Sequence, residues 1–175
     1  MQEINNLRLP YSFKSSFTNM DNEDKPKIKI LDDSALRAKI LAIVNQTSQI
    51  ILANWAINCA AHVTRFVPET LQLEVVQSGF HTNRLWQKNQ ATVHQVRQAG
   101  FRIHEKARDC KDEIAKNILR TVGQAIGVGH MSAHAMVCSD YAIKVVQLST
   151  NNDLQQITKE RIWQLNELKK YLRAK

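Results

Sequence analysis

The chain has 175 residues, 43% hydrophobic and 23% charged, with a formal net charge of +8 and a pI near 9.6. The length suits one domain with a sizeable core, and the balance of apolar to charged residues excludes a disordered chain. No run of about 18 apolar residues occurs, which excludes a membrane-spanning helix, and three widely spaced cysteines without a CxxC pair exclude a disulfide scaffold.

Residues 1–33 read as an extended arm, with Pro10, Pro26 and a polar stretch but no helical period. No apolar signal core opens the chain, so a cytoplasmic location with reduced thiols is expected. Within the arm, Lys27 to Leu31 ("KIKIL") alternates, as a short strand or a docked segment would. From Asp33 the pattern turns helical. Asp33 or Ser34 can cap a first helix whose apolar face holds Leu36, Ile40, Ile43 and Val44. Thr47 or Ser48 can cap a second, running to about Phe66; Ile50, Ile51, Trp55, Ile57 and Val63 cover much of its circumference, so it is expected at the centre.

Pro68 marks a break, and a third helix is predicted over about 69–77, interrupted by Gly79, with a short helical piece around Leu85 and Trp86. A fourth is predicted over 91–108, a fifth over 109–128 and a sixth over 132–148. "STNND" at 149–153 breaks and caps. A seventh helix over 154–173 shows Leu154, Ile157, Ile162, Leu165, Leu168 and Leu172 at helical spacing. The expected fold is all-α: a single compact domain of six to seven helices over 34–175, preceded by the arm 1–33.

Positive charge is local. Residues 84–120 carry nine Lys/Arg against four Asp/Glu, and residues 159–175 carry six against two. Arg97, Arg102, Lys106, Arg108, Lys111 and Lys116 are the candidates for an exposed face that meets an anionic partner. An ordinary solvated helix face is the competing reading; a nucleic-acid surface is less favoured, because no repeated interleaving of aromatic residues in the basic stretch supports it strongly.

The stretch "GHMSAHAMVC" at 129–138 invites a metal reading, because His130 and His134 lie four apart. Helical residues at that spacing can share one ion. The zincin pattern requires Glu after the first histidine, and here that residue is Met131. A polar network joining His62, His104, Arg120, His130 and His134 between helices is the reading preferred here, with no metal or other cofactor; a metal enzyme using His130 and His134, with His62 or His104 as third ligand, is the alternative. Gly123 and Gly127 suit a close helix approach, and Gly127 and Gly129 suit a left-handed helix end. Cys59 and His62 share a helix face, but the apolar surroundings favour an inert thiol. Glu69 and Glu74 are too isolated for an acid–base pair, and no catalytic residues are assigned.

Three blocks carry a resemblance. Cys59-Ala60 with His62-Val63 is the first. The second runs from Arg97 through His104 to Arg108. The third joins Arg120, Gly123 and Ala125 to Gly129-His130, His134-Ala135, Tyr141-Ala142 and Lys144. In order and spacing, over about 54–146, they resemble the immunity protein five-like family of bacterial polymorphic toxin systems. Gln124 departs from the Gly-His-Ala usual at that place, and the segment near 64–69 departs from the usual apolar-Pro-x-Phe-Glu ending. The resemblance implies an all-helical domain that binds and neutralises a cognate protein toxin, with no catalytic residues to carry over.

Overall fold

The structure, a computed structural model, describes residues 25–67 and 74–173. Most of the arm (1–24) and the start of the predicted third helix, with Pro68 and Glu69, lie outside the described residues. Seven α-helices follow in order: α1 Ser34–Val44, α2 Gln49–Val63, α3 Glu74–Gln87, α4 Val93–Asp109, α5 Glu113–Gly127, α6 His134–Ser149 and α7 Leu154–Arg173. A 3₁₀ turn, Thr64–Phe66, extends α2. The described residues contain no strand, so the fold is all-α.

Local chemistry starts these helices, the first where the sequence predicts and α4, α5 and α6 two to four residues later than the predicted 91, 109 and 132. Asp33 accepts from the Leu36 N–H at 3.0 Å, Thr92 and Gln95 close a capping box, and Asp112 accepts from the Ala115 N–H at 2.7 Å. Asp153 accepts from the Gln155 N–H at 2.8 Å, and the turn before α7 places Asn151 and Asn152 at positive φ, a conformation asparagine tolerates. Residues 27–31 form no strand; they dock instead, with Ile30 against the core and the Leu31 N–H donating to the Gln147 side chain at 3.2 Å.

Three elements depart from expectation. α3 is one helix running through Gly79, because the missing Cβ is where Ile126 of α5 packs; close packing offsets the roughly 1 kcal/mol that glycine costs inside a helix. α5 does end at Gly127, yet no described glycine has positive φ, so the glycines serve space rather than a left-handed cap. On α7, Ile157, Leu165 and Leu168 are buried, but Leu154, Ile162 and Leu172 are exposed, and Glu160, Arg161 and Gln164 take the inward positions.

α5 is the hub. It packs on α4, α6, α2 and α3, and ten of its residues are buried. α2 packs against α5 and α6 with Leu52, Trp55, Ala56, Cys59 and Ala60 inside, so it is central as predicted, although Ile50 is half exposed. α1 and α7 close the other side through a buried ion network. Asp140 of α6 accepts from the Arg37 Nε at 3.0 Å, the Arg37 Nη2 at 2.9 Å and the Arg161 Nη2 at 2.7 Å. Arg161, with no exposed surface, also makes a bidentate pair with Asp32 and donates to Ser139. Two carboxylates thus face two guanidinium groups, joining the segment before α1 to α1, α6 and α7.

Candidate functional site

The basic face forms on α4 and the turn after it. Val96, Ala99, Gly100, Ile103 and Ala107 turn inward. The same period turns Arg97, Arg102, Lys106 and Arg108 outward, and Lys111 is exposed beyond the helix end. None of these five forms an ion pair with a described residue, whereas Lys116 is paired with Glu113 on the same helix and only half exposed. Arg97 lies over the exposed Phe101 ring, with its Cζ 5.3 Å from the ring centroid. The face therefore carries net positive potential with one aromatic surface at its centre.

Beside it, three of the predicted histidines converge. Arg120 Nη1 approaches His104 Nδ1 at 3.3 Å; guanidinium only donates, so Nδ1 accepts and the neutral ring carries its proton on Nε2. His134 has the opposite tautomer: its Nδ1–H donates to Gln124 Oε1 at 2.5 Å. The His130 and His134 rings tilt together with centroids 4.8 Å apart. Two glycines of α5 seat these rings. A Cβ on Gly123 would lie 2.5–2.8 Å from His104, and one on Gly127 would lie 3.2 Å from His134. The expected close approach at this spacing is thus mainly the approach of histidine rings.

Burial, then the charges of Arg120 and neighbouring histidine and arginine, hold His104 down at about 4. Burial, then His130 and Lys27, hold His134 at about 4. Both rings are neutral at pH 7. The inner nitrogens His130 Nδ1 and His134 Nε2 are buried and make no hydrogen bond among the described residues. Among those residues no group of three or more His, Cys, Asp or Glu is placed to share a metal ion. The surrounding charge is cationic, a field that opposes a dication and favours an anion.

His62 is elsewhere. The structure does not bring it to the other three; it sits at the end of α2, stacked on Trp163 of α7 with centroids 3.6 Å apart and planes at 14°. Its Nδ1 faces the Glu160 carboxylate at 3.1–3.2 Å, and Arg65 Nη2 donates to the same group at 3.1 Å. The Glu160 side chain is only 1% exposed. His62, Arg65, Phe66, Lys159, Glu160 and Trp163 border a cavity of roughly 250 Å³. Only His62 of this group is a sequence-predicted site residue. No local signal finds the rest, because only the packing of α7 turns Glu160 inward, beside Arg161 and Gln164.

Cys59 and Cys138 are fully buried on α2 and α6. Burial pushes both thiols well above their usual range, and Cys138 Sγ lies 3.4 Å from the Ala56 carbonyl. Neither is placed as a nucleophile. Glu74 is exposed at the start of α3.

The profile of a family described as Imm-5 like putative immunity protein matches residues 42–171. The chain belongs to that family. No curated protein and no solved structure matches it. The match runs from within α1 to within α7, so it takes in the basic face, the histidine cluster and the Glu160 cavity. No helix among the described residues is long and apolar enough to cross a membrane.

Proposed function

We propose that this chain is an immunity-type protein of the cytoplasm. It binds a cognate bacterial toxin and neutralises it by covering the toxin's working surface, without catalysis of its own. Family membership supports the class. The observation that carries the mechanism is the run of exposed cations Arg97, Arg102, Lys106, Arg108 and Lys111, which have no carboxylate partner among the described residues. A helix face held rigid by its buried side and charged on its outer side suits rapid, oriented capture of an acidic protein.

Affinity purification of the tagged chain from its own cells, at moderate salt, tests the reading. One stoichiometric protein in the eluate is the expected result, and its sequence identifies the toxin. Nucleic acid or bound metal in place of a protein would refute it. With the partner in hand, the triple reversal Arg97→Glu, Arg102→Glu, Lys106→Glu should slow association by ten-fold or more at low salt and leave dissociation little changed. Unchanged association rates would remove the role given to α4.

A further inference from the structure

The Glu160 cavity has no role in the reading above, and its construction is costly. A carboxylate removed from water recovers its hydration only through close, well-placed partners. Among the described residues Glu160 has two, and both are surface groups: the His62 and Arg65 side chains are 27% and 43% exposed. An apolar side chain of similar volume would often serve the core as well or better. What Glu160 does, and an apolar residue would not, is hold two surface side chains still.

Those two hold others. His62 lies flat on Trp163, and the Arg65 guanidinium sits over the Phe66 ring with Cζ 4.6 Å from its centroid. On the next turns of the same seam, Asn58 donates to Glu167 at 2.9 Å and to Tyr171 at 2.7 Å. The result is a small open cavity with aromatic walls whose side chains have already lost their rotamer freedom, which removes part of the entropic cost of binding. Aromatic residues and arginine at a concave centre are the composition of an interface hot spot.

Charge selects what enters. Glu160 is shielded by its own partners, so the mouth presents Arg65 and the exposed Lys159, which pairs with no described carboxylate. We infer that this cavity is an anchor point for a protein partner, receiving one aromatic side chain flanked by carboxylates that pair with Arg65 and Lys159. This rests on the reading that the chain works by binding a protein, but it shares no residue with the α4 face.

The test uses three acetylated, amidated tripeptides, Asp-Phe-Asp, Lys-Phe-Lys and Asp-Ala-Asp. Each is titrated into the full chain while the indole N–H resonance of Trp163 is followed, assigned by its loss in Trp163→Phe. Asp-Phe-Asp should give a saturable shift with a millimolar Kd, as expected for so small a ligand. The other two should bind at least five-fold more weakly. Arg65→Gln should weaken Asp-Phe-Asp about five-fold while lowering Tm, since Glu160 loses a partner. Lys159→Gln, which touches no described partner, should weaken it several-fold with an unchanged thermal unfolding curve. Absence of a saturable shift up to 20 mM would overturn the proposal. So would equal binding of either control peptide, or no effect of Arg65→Gln. Capture of a stoichiometric protein equally well by wild type and Arg65→Gln would sink the anchor and leave the toxin-binding reading standing. Specific Asp-Phe-Asp binding without any captured protein would sink the toxin reading while the cavity's selectivity held.

Discussion

Replacing Asp140 by alanine should unfold this protein more readily than any surface change, and the geometry sets the size of the effect. Asp140 is 1% exposed and accepts three hydrogen bonds from Arg37 and Arg161. Without it, Arg161, which has no exposed surface, keeps only Asp32 as a charge partner among the described residues, and the buried Arg37 loses its bidentate acceptor. Removing one member of a buried ion network costs about 3–5 kcal/mol, because the remaining charges stay desolvated. For a chain of this size each kcal/mol lowers Tm by roughly 2–4 °C, so a fall of about 10 °C is expected. Urea denaturation gives the free energy and calorimetry gives Tm. Arg37→Ala should cost less in the Asp140→Ala background than alone, with a coupling of at least about 1 kcal/mol. A loss below about 1 kcal/mol for Asp140→Ala, or strict additivity with Arg37→Ala, would refute the reasoning.

Acid should weaken the fold through the histidine cluster. His104 and His134 are held near pH 4 when folded and return to about 6.5 when unfolded, so below pH 6.5 the unfolded chain binds more protons. Their contribution is complete above pH 6.5, declines as pH falls, and is gone below about 4. With both rings partly open to solvent, about 1–2 kcal/mol each is the reasonable size; His104→Gln should flatten the dependence between pH 6.5 and 4 in urea titrations, and an unchanged slope would count against it. Gly123→Ala should cost about 1–3 kcal/mol, since the new methyl meets the His104 ring. Gly100→Ala should be neutral or slightly stabilising, because its nearest neighbour lies at 3.5 Å and alanine favours the helix; similar losses at both positions would contradict this reading. Among the three cysteines, only Cys110 should react with a thiol reagent in the native state, and all three in denaturant, as read by colorimetric titration.

Helix number and some helix ends were legible in the residues, because period and capping are short-range: a carboxylate at Asp33 meets an N–H three residues away, and an asparagine pair follows the end of α6 whatever else the chain does; the starts of α4, α5 and α6 fell two to four residues beyond the predicted 91, 109 and 132. The exposed basic face of α4 was legible for the same reason, since the buried side of an amphipathic helix dictates its outer side. Only the tertiary structure decided which helices meet. His104 and His134 converge because α5 offers glycines at 123 and 127 as seats, with His130 tilted against His134, while His62, in the last turn of α2, is claimed by Trp163 and Glu160. The apolar spacing of α7 favoured Leu154, Ile162 and Leu172 as core, yet Glu160, Arg161 and Gln164 hold the inward positions. A buried charge is tolerable only where partners distant in the chain arrive with it, as Asp32 and Asp140 do for Arg161; no local pattern can announce that meeting, because it exists only once the helices have packed.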